Sequence, residues 1–448
     1  MSPYSLRFLL SNSAGVLMAA GAVPLKALWD AHLIERSEPE SFVAFSLLFP
    51  IIITVNTFGV AFANAVSSTF IGWQWQRDGR IDLVTLLRVV LAAVIVGALV
   101  AVLLLSVVPW LCMLLNATAH EELIRSFMVA SLVWLPLQFL SVAVQSLARG
   151  LGLFKRAGVV AFGSYAFAMF LSWLLIIGWP PGNFSVLELV AFSNAAAAGL
   201  FNIGMLAVLA SRNRFFVDSV APGFGGMAAR MMRVGGHGLV ANMFALVFIY
   251  AVMSSFAAQE AEYVAATGYL FRLEQLVLTV FFVMSAVIVP HVANQIRNGA
   301  PDRGMQTIRL ATRHFIVVGI SSLTLVLVLF ISMSDELILD ERVREIAVSA
   351  VWIWFPAYLL QGLCLLYAQL LTVVFDAAAA SMISILRFIL IGTPVVLIVV
   401  EHWGIDGLML ALPGLHVVSL AVVAVVFTRA IKKHAERTGR AVDAGAAN

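Results

Sequence analysis

The sequence predicts an all-α polytopic membrane protein with about twelve spanning helices, on three observations. Hydrophobic residues fill 62% of the 448 positions and charged ones only 11%, less than half of the roughly 25% usual in soluble domains. Mean hydropathy is +1.00, a level at which any fold would expose apolar surface to water. The apolar runs are long and unbroken, unlike the short alternating segments of barrel strands. In hydrocarbon the backbone must satisfy its own hydrogen bonds, and with a barrel set aside only helices do so.

A span needs about 20 apolar residues. The stretch from Leu9 to Trp29 is too long for a signal-peptide core and no small-residue cleavage site follows it, so it reads as the first span, 7–33. Further runs lie at 42–72, 84–114, 122–148, 157–179 and 186–211, and a second set at 233–257, 263–293, 307–333, 343–374, 378–400 and 405–430. The expected organisation is an N-terminal six-helix lobe (1–211), a cytoplasmic Gly/Arg-rich connector (212–232), a C-terminal six-helix lobe (233–431) and a disordered polar tail (432–448). The second helices of the two halves align without gaps: Phe42-Val43-Ala44 falls on Tyr263-Val264-Ala265, and Gln74 on Gln295. An even number of helices per half gives both halves one orientation, so the expected pseudo-two-fold axis runs along the membrane normal. That is transporter architecture.

Loop charges set the orientation. With a cytoplasmic N-terminus, the inner loops hold Arg77, Arg80, Arg149, Lys155, Arg156, Arg212, Arg214, Arg297, Arg303 and Arg309, and the tail adds Lys432 and Lys433. The outer loops hold Glu35, Glu38, Glu40, Glu121, Glu122, Glu260, Glu262, Asp335, Glu336 and Asp340. This is a positive-inside pattern, placing both termini in the cytoplasm and the chain in the inner or plasma membrane. Cys112 and Cys364 lie far apart in apolar segments and are expected to be buried thiols.

The sequence has no nucleotide-binding loop, metal-ligand cluster or Ser/His/Asp arrangement of credible spacing, so no enzymatic activity, cofactor, metal or nucleic-acid partner is expected. Energy must then come from an ion gradient or the substrate's own gradient. Ionisable residues within spans are costly and default to functional hypotheses. Lys26 and Asp30 are four apart and share a helix face. Asp30 reads either as a proton or cation site with Lys26 as charge partner, or as a solvated residue near the outer interface. Arg272 and Glu274 are two apart and point in different directions, each needing its own partner, for ion coupling or for a structural network. Arg387 reads as structural, paired with a carbonyl or carboxylate. Asn56, Asn64, Asn242, Tyr250, Gln361 and Tyr367 are candidates to line a substrate cavity.

Several segments resemble the multidrug and toxic compound extrusion (MATE) family. Trp29-Asp30, Arg36 and Pro39-Glu40, leading into Phe49-Pro50, are similar to its first-helix aspartate segment. Ala148-Arg149-Gly150-Leu151-Gly152 with Lys155-Arg156 resembles the turn after the fourth helix. Tyr269-Leu270-Phe271-Arg272-Leu273-Glu274, continuing to Ser285-Ala286, Pro290 and Asn294-Gln295, is similar to the eighth-helix signature, and Gly404 to Pro413 to the start of the last helix. The resemblance implies two six-helix lobes that export small molecules in exchange for protons or sodium, with Asp30 and Glu274 as the coupling acids. This chain departs from the family's fifth-helix Asn and Asp with Ala168 and Ser172, is apolar near Ala245, and lacks an interior acid in the tenth helix.

The expected function is therefore secondary-active antiport of amphipathic or cationic small molecules by a monomer in lipid. The runner-up is a flippase for a lipid-linked oligosaccharide or a related polysaccharide-export protein. Such a protein would need cationic residues for pyrophosphate, for which Lys26, Arg272 and Arg387 are the mid-membrane candidates. A non-transporting membrane assembly factor would not need an intramembrane carboxylate.

Overall fold

The computed structural model describes residues 6–56, 81–150, 153–178, 182–212, 215–216, 243–258, 260–297, 301–372 and 377–446, with isolated positions 58, 59, 62 and 66. Asn64, Asn242 and nearly all of the 212–232 connector lie outside these residues. The fold is that of an all-α polytopic membrane protein. Among the described residues eight helices are long and apolar enough to cross a membrane, and a bent pair makes up to nine.

The chain forms two compact units. The first holds residues 14–273 and 334–347. It contains α1 (Leu6–Ser37, from Ala14 on), α2 (Pro39–Leu47) and α3 (Phe49–Asn56), then α4 (Leu83–Leu114) and α5 (Glu121–Gly150). After these come α6 (Phe154–Trp173), α7 (Val186–Arg212), α8 (Met243–Ala257) and the first part of α9 (Ala261–Arg297). A parallel pair of two-residue strands, β1 (Ile81–Asp82) and β2 (Phe215–Phe216), accompanies them. Within this unit α5 packs against α4 and α7, and α7 against α6.

Local sequence explains the helix ends. α4 stops where Asn116 takes the left-handed conformation, φ 52°. The Ala117 N–H then reaches Cys112 O at 2.8 Å and the Asn116 N–H reaches Met113 O at 3.2 Å, which is the Schellman pattern. α7 opens on a reciprocal capping box: Ser185 N–H donates to Glu188 Oε2 at 2.7 Å and Glu188 N–H to Ser185 Oγ at 3.3 Å. α2 and α3 meet at a 41° bend, as expected of Pro50, whose missing N–H leaves the Ser46 carbonyl without its helical donor. On α4, Leu87, Leu91, Leu99 (64% exposed) and Val102 form an outward stripe ending near Trp110 (77% exposed). Apolar exposure of that extent on one face suits lipid, not water.

The second unit holds residues 1–13, 274–333 and 348–448. It contains the rest of α9, most of α10 (Pro301–Leu337) and α11 (Glu341–Leu370), then α12 (Ala377–Ser384), a π-helical stretch Ile385–Gly392, and α13 (Thr393–Ala446). Phe281 is the packing centre: it stacks on Phe315 at 4.8 Å, and Gly319 and Gly362 leave room where a Cβ would strike its ring. α13 breaks at Gly404, φ 65° and ψ −155°, a conformation costly to any side-chain-bearing residue. That single glycine separates the runs read as 378–400 and 405–430. Cys112 and Cys364 are free and buried.

Candidate functional site

The first unit brings the polar face of α1 against α6 and α7. Trp29 anchors it, donating Nε1–H to Met169 O on α6 at 2.9 Å. One turn further along α6 lies Ser172. Lys26 and Asp30 are 1% and 2% exposed, so Asp30 is interior and the solvated interfacial position weighed for it does not hold. Lys26 Nζ donates to Asp30 Oδ2 at 2.5 Å, to Ser193 Oγ on α7 at 3.0 Å and to Ser172 Oγ at 3.4 Å. The three ammonium protons are thus all engaged. Ser172 in turn donates to Ser193 at 2.8 Å, and Ser193 to Val190 O at 2.8 Å. Asp30 Oδ1 is buried without a hydrogen-bond partner. A buried carboxylate oxygen left open in this way can take a proton, a metal cation or a substrate donor.

Arg272 on α9 is also buried, and its partners are backbone and rings. It donates to Gly268 O at 2.7 Å and to Phe45 O, in the last turn of α2, at 3.2 Å. Its guanidinium lies over the Phe45 ring at 4.3 Å and the Phe42 ring at 5.8 Å, and within electrostatic reach of Asp30. Gly268 permits this approach: a Cβ there would meet the Ser46 side chain and stand 2.9 Å from Arg272 Nη1. Elsewhere in the unit the hydroxyls of Thr54 and Tyr250 are 3.3 Å apart. Asn56 is exposed at the end of α3.

Glu35, two residues past the first apolar run, serves the sequence reading only as an outer-loop acid. It is buried. Its Oε2 accepts from the Tyr269 hydroxyl at 2.5 Å, and its Oε1 from the N–H groups of Leu339 and Asp340 at 3.1 and 3.2 Å. Tyr269 also donates to Leu337 O at 3.0 Å. Asp340 caps α11 through Val343 N–H at 2.9 Å. Glu35 therefore clasps the turn between α10 and α11 onto α1. Burial pushes its carboxyl above the ordinary 4.5, while the hydrogen bonds from Tyr269, Asp340 and Leu339 and the nearby His32 pull the other way. A raised acid stabilises the folded state below its ordinary value and loses that contribution as pH rises through the raised one. Thermal unfolding of wild type and Glu35→Gln across this window is expected to show a steeper loss of stability with rising pH in wild type. Superimposable profiles would mean that the clasp is insensitive to the charge.

In the second unit Glu274 is hydrogen-bonded to Gln361, with Tyr358 beside it; the Gln361 Oε1 has no partner. Tyr367 pairs its hydroxyl with Thr312 at 3.3 Å and stacks on Phe427 at 4.8 Å. Arg387, expected to pair with a carbonyl or carboxylate, instead lies over the Phe388 ring at 4.8 Å with its Nε unpartnered. Ser193, Glu35 and Tyr269 are site residues that the sequence reading does not single out for a role; a serine 167 residues along the chain from Lys26 carries no periodic signal.

No protein-family model matches the sequence. A curated relative, the FAD transporter of Shewanella oneidensis, is 23% identical over 423 residues, covering 91% of this chain and 90% of that protein. Among solved structures, a MATE transporter of Vibrio cholerae superposes with a TM-score of 0.75 at 16% identity over 95% of this chain and 96% of the other. An inward-facing multidrug resistance MATE transporter of the MOP superfamily gives 0.77 at 14% identity over 91% and 94%. A MOP-superfamily transporter of Pyrococcus furiosus, whose binding pocket is described as having reverse polarity, gives 0.77 at 14% over 95% of each chain.

Proposed function

We propose that this chain, which has the fold of the MATE transporters, is a secondary-active exporter of amphipathic small molecules working by alternating access against protons or sodium. The observation that carries this reading is the Lys26–Asp30 pair, buried in the first unit with one carboxylate oxygen open. A group that binds an ion at one moment and a lysine at another can tie ion movement to helix packing without a nucleotide. Asp30 is the coupling acid, with Lys26 and Arg272 as the cations of its unit, and Glu274 is a second acid and Arg387 the cation of the other unit. Asn56, Asn64, Asn242, Tyr250, Gln361 and Tyr367 supply polar contacts to the substrate. The proposal keeps six-helix lobes at 1–211 and 233–431, a monomer, and both termini in the cytoplasm.

Substrate charge separates two readings. A cationic substrate would compete with the proton for Asp30, so acidification would weaken its binding. An anionic one would compete with Asp30 for Lys26, so acidification would strengthen its binding by reciprocal linkage. The relative named for FAD transport and the saturation of Asp30 Oδ2 by Lys26 favour the anionic class, with a flavin nucleotide as its first candidate. Export of such an anion is also favoured by an inside-negative membrane potential, by about 2.3 kcal/mol per charge per 100 mV. The test is flux of FAD and of ethidium in proteoliposomes under separately imposed proton, sodium and electrical gradients. FAD efflux driven by at least one gradient is expected. Ethidium flux alone would move the chain to the cationic class, and no protein-dependent flux of either would overturn the exporter reading.

A further inference from the structure

Arg387 stands in an unusual setting for a buried guanidinium. It lies in the π-helical stretch Ile385–Gly392, and such bulges concentrate at functional sites. About ten residues into its run, it sits roughly 15 Å from the start of the span at 1.5 Å per residue. It lies over the Phe388 ring and within electrostatic reach of Cys364 on α11 and His416 on α13. Among the described residues none gives it a carboxylate or a hydrogen bond. Nε is fully buried and unpartnered, whereas the side chain as a whole is only partly covered. The outer guanidinium nitrogens therefore face accessible volume.

Arg272 shows what this chain does with a structural arginine: two carbonyls and two aromatic rings take up its charge. Among the described residues Arg387 has one ring and no acceptor. Leaving such a donor fork unmatched in a low-dielectric interior is costly, unless a ligand supplies the anion. The planar fork fits two oxygens of a phosphoryl group at once, and His416, within electrostatic reach, is the candidate second donor.

We propose that Arg387, with His416, is the binding site for a phosphoryl group of the transported substrate. This rests on the exporter reading above and assigns it a phosphate-bearing cargo. The shared chemistry could come from a soluble nucleotide or from an anionic lipid headgroup, and the experiment separates the two. Thermal stabilisation of the purified full chain in neutral-lipid nanodiscs is measured with pyrophosphate, FMN and riboflavin, which lacks the phosphate. The proteins are wild type, Arg387→Met, which keeps length and apolar bulk, and Arg387→Lys, which keeps the charge but not the fork.

Wild type is expected to respond to pyrophosphate and to FMN at concentrations at least tenfold below riboflavin. Arg387→Met should lose the pyrophosphate response and the preference for FMN, and Arg387→Lys should retain part of both. An unchanged preference in Arg387→Met, or no response of wild type to pyrophosphate and FMN, would overturn the assignment; gradient-driven ethidium flux would in that case still leave the exporter reading standing. If phosphatidylglycerol in the disc abolishes the pyrophosphate response of wild type and raises the stability of wild type but not of Arg387→Met, the occupant is a lipid headgroup and the substrate assignment falls.

Discussion

Lys26→Ala is expected to destabilise the folded protein by about 3–5 kcal/mol, because it strands the Asp30 carboxylate in the interior without its hydrogen-bonded counter-charge. The loss has three parts: the charge-assisted contact to Asp30 at 2.5 Å and the contacts to Ser193 at 3.0 Å and Ser172 at 3.4 Å. Removing a partner from a buried charge is costlier than removing both members of the pair. The double variant Lys26→Met/Asp30→Asn should therefore recover most of the stability lost by the single one, while transport remains impaired. Ser193→Ala removes one neutral acceptor of the ammonium and should cost on the order of 1–3 kcal/mol. Denaturant unfolding in detergent of these variants measures the series. A Lys26→Ala protein as stable as wild type, or a double variant no better than the single, would show that the pair does not hold a charge in the interior.

Hydropathy made the helices legible because lipid imposes one rule on every span: an apolar run with its own backbone bonds. The structure lengthens most of them at polar ends, as in α1 to Ser37, α9 to Arg297 and α10 from Pro301, since short loops let a helix continue past the apolar stretch. The break between the last two runs was legible only as a gap; its cause is the positive φ of Gly404. Spacing alone found Lys26 and Asp30 on one face. It could not find Ser172 and Ser193, which join them across 146 and 167 residues of sequence, nor Glu35, whose partners lie on α9 and in the turn before α11. Composition also misleads at Glu35 and Arg387. A glutamate in an acidic loop segment reads as solvated, and an arginine within a span reads as already paired; which partners reach them is decided by tertiary packing.

Asp30→Asn is the variant on which the mechanism turns. Asparagine keeps the shape of aspartate and an oxygen for Lys26, but cannot ionise, so it cannot alternate between an ion and the lysine. The measurement is substrate movement in proteoliposomes holding equal amounts of folded wild-type or Asp30→Asn protein, read both as exchange without a gradient and as accumulation driven by an imposed ion gradient. The expected result is that exchange persists while gradient-driven accumulation falls by at least tenfold. Accumulation by Asp30→Asn at the wild-type rate would contradict the account and leave Glu274 as the acid to which coupling would have to be assigned.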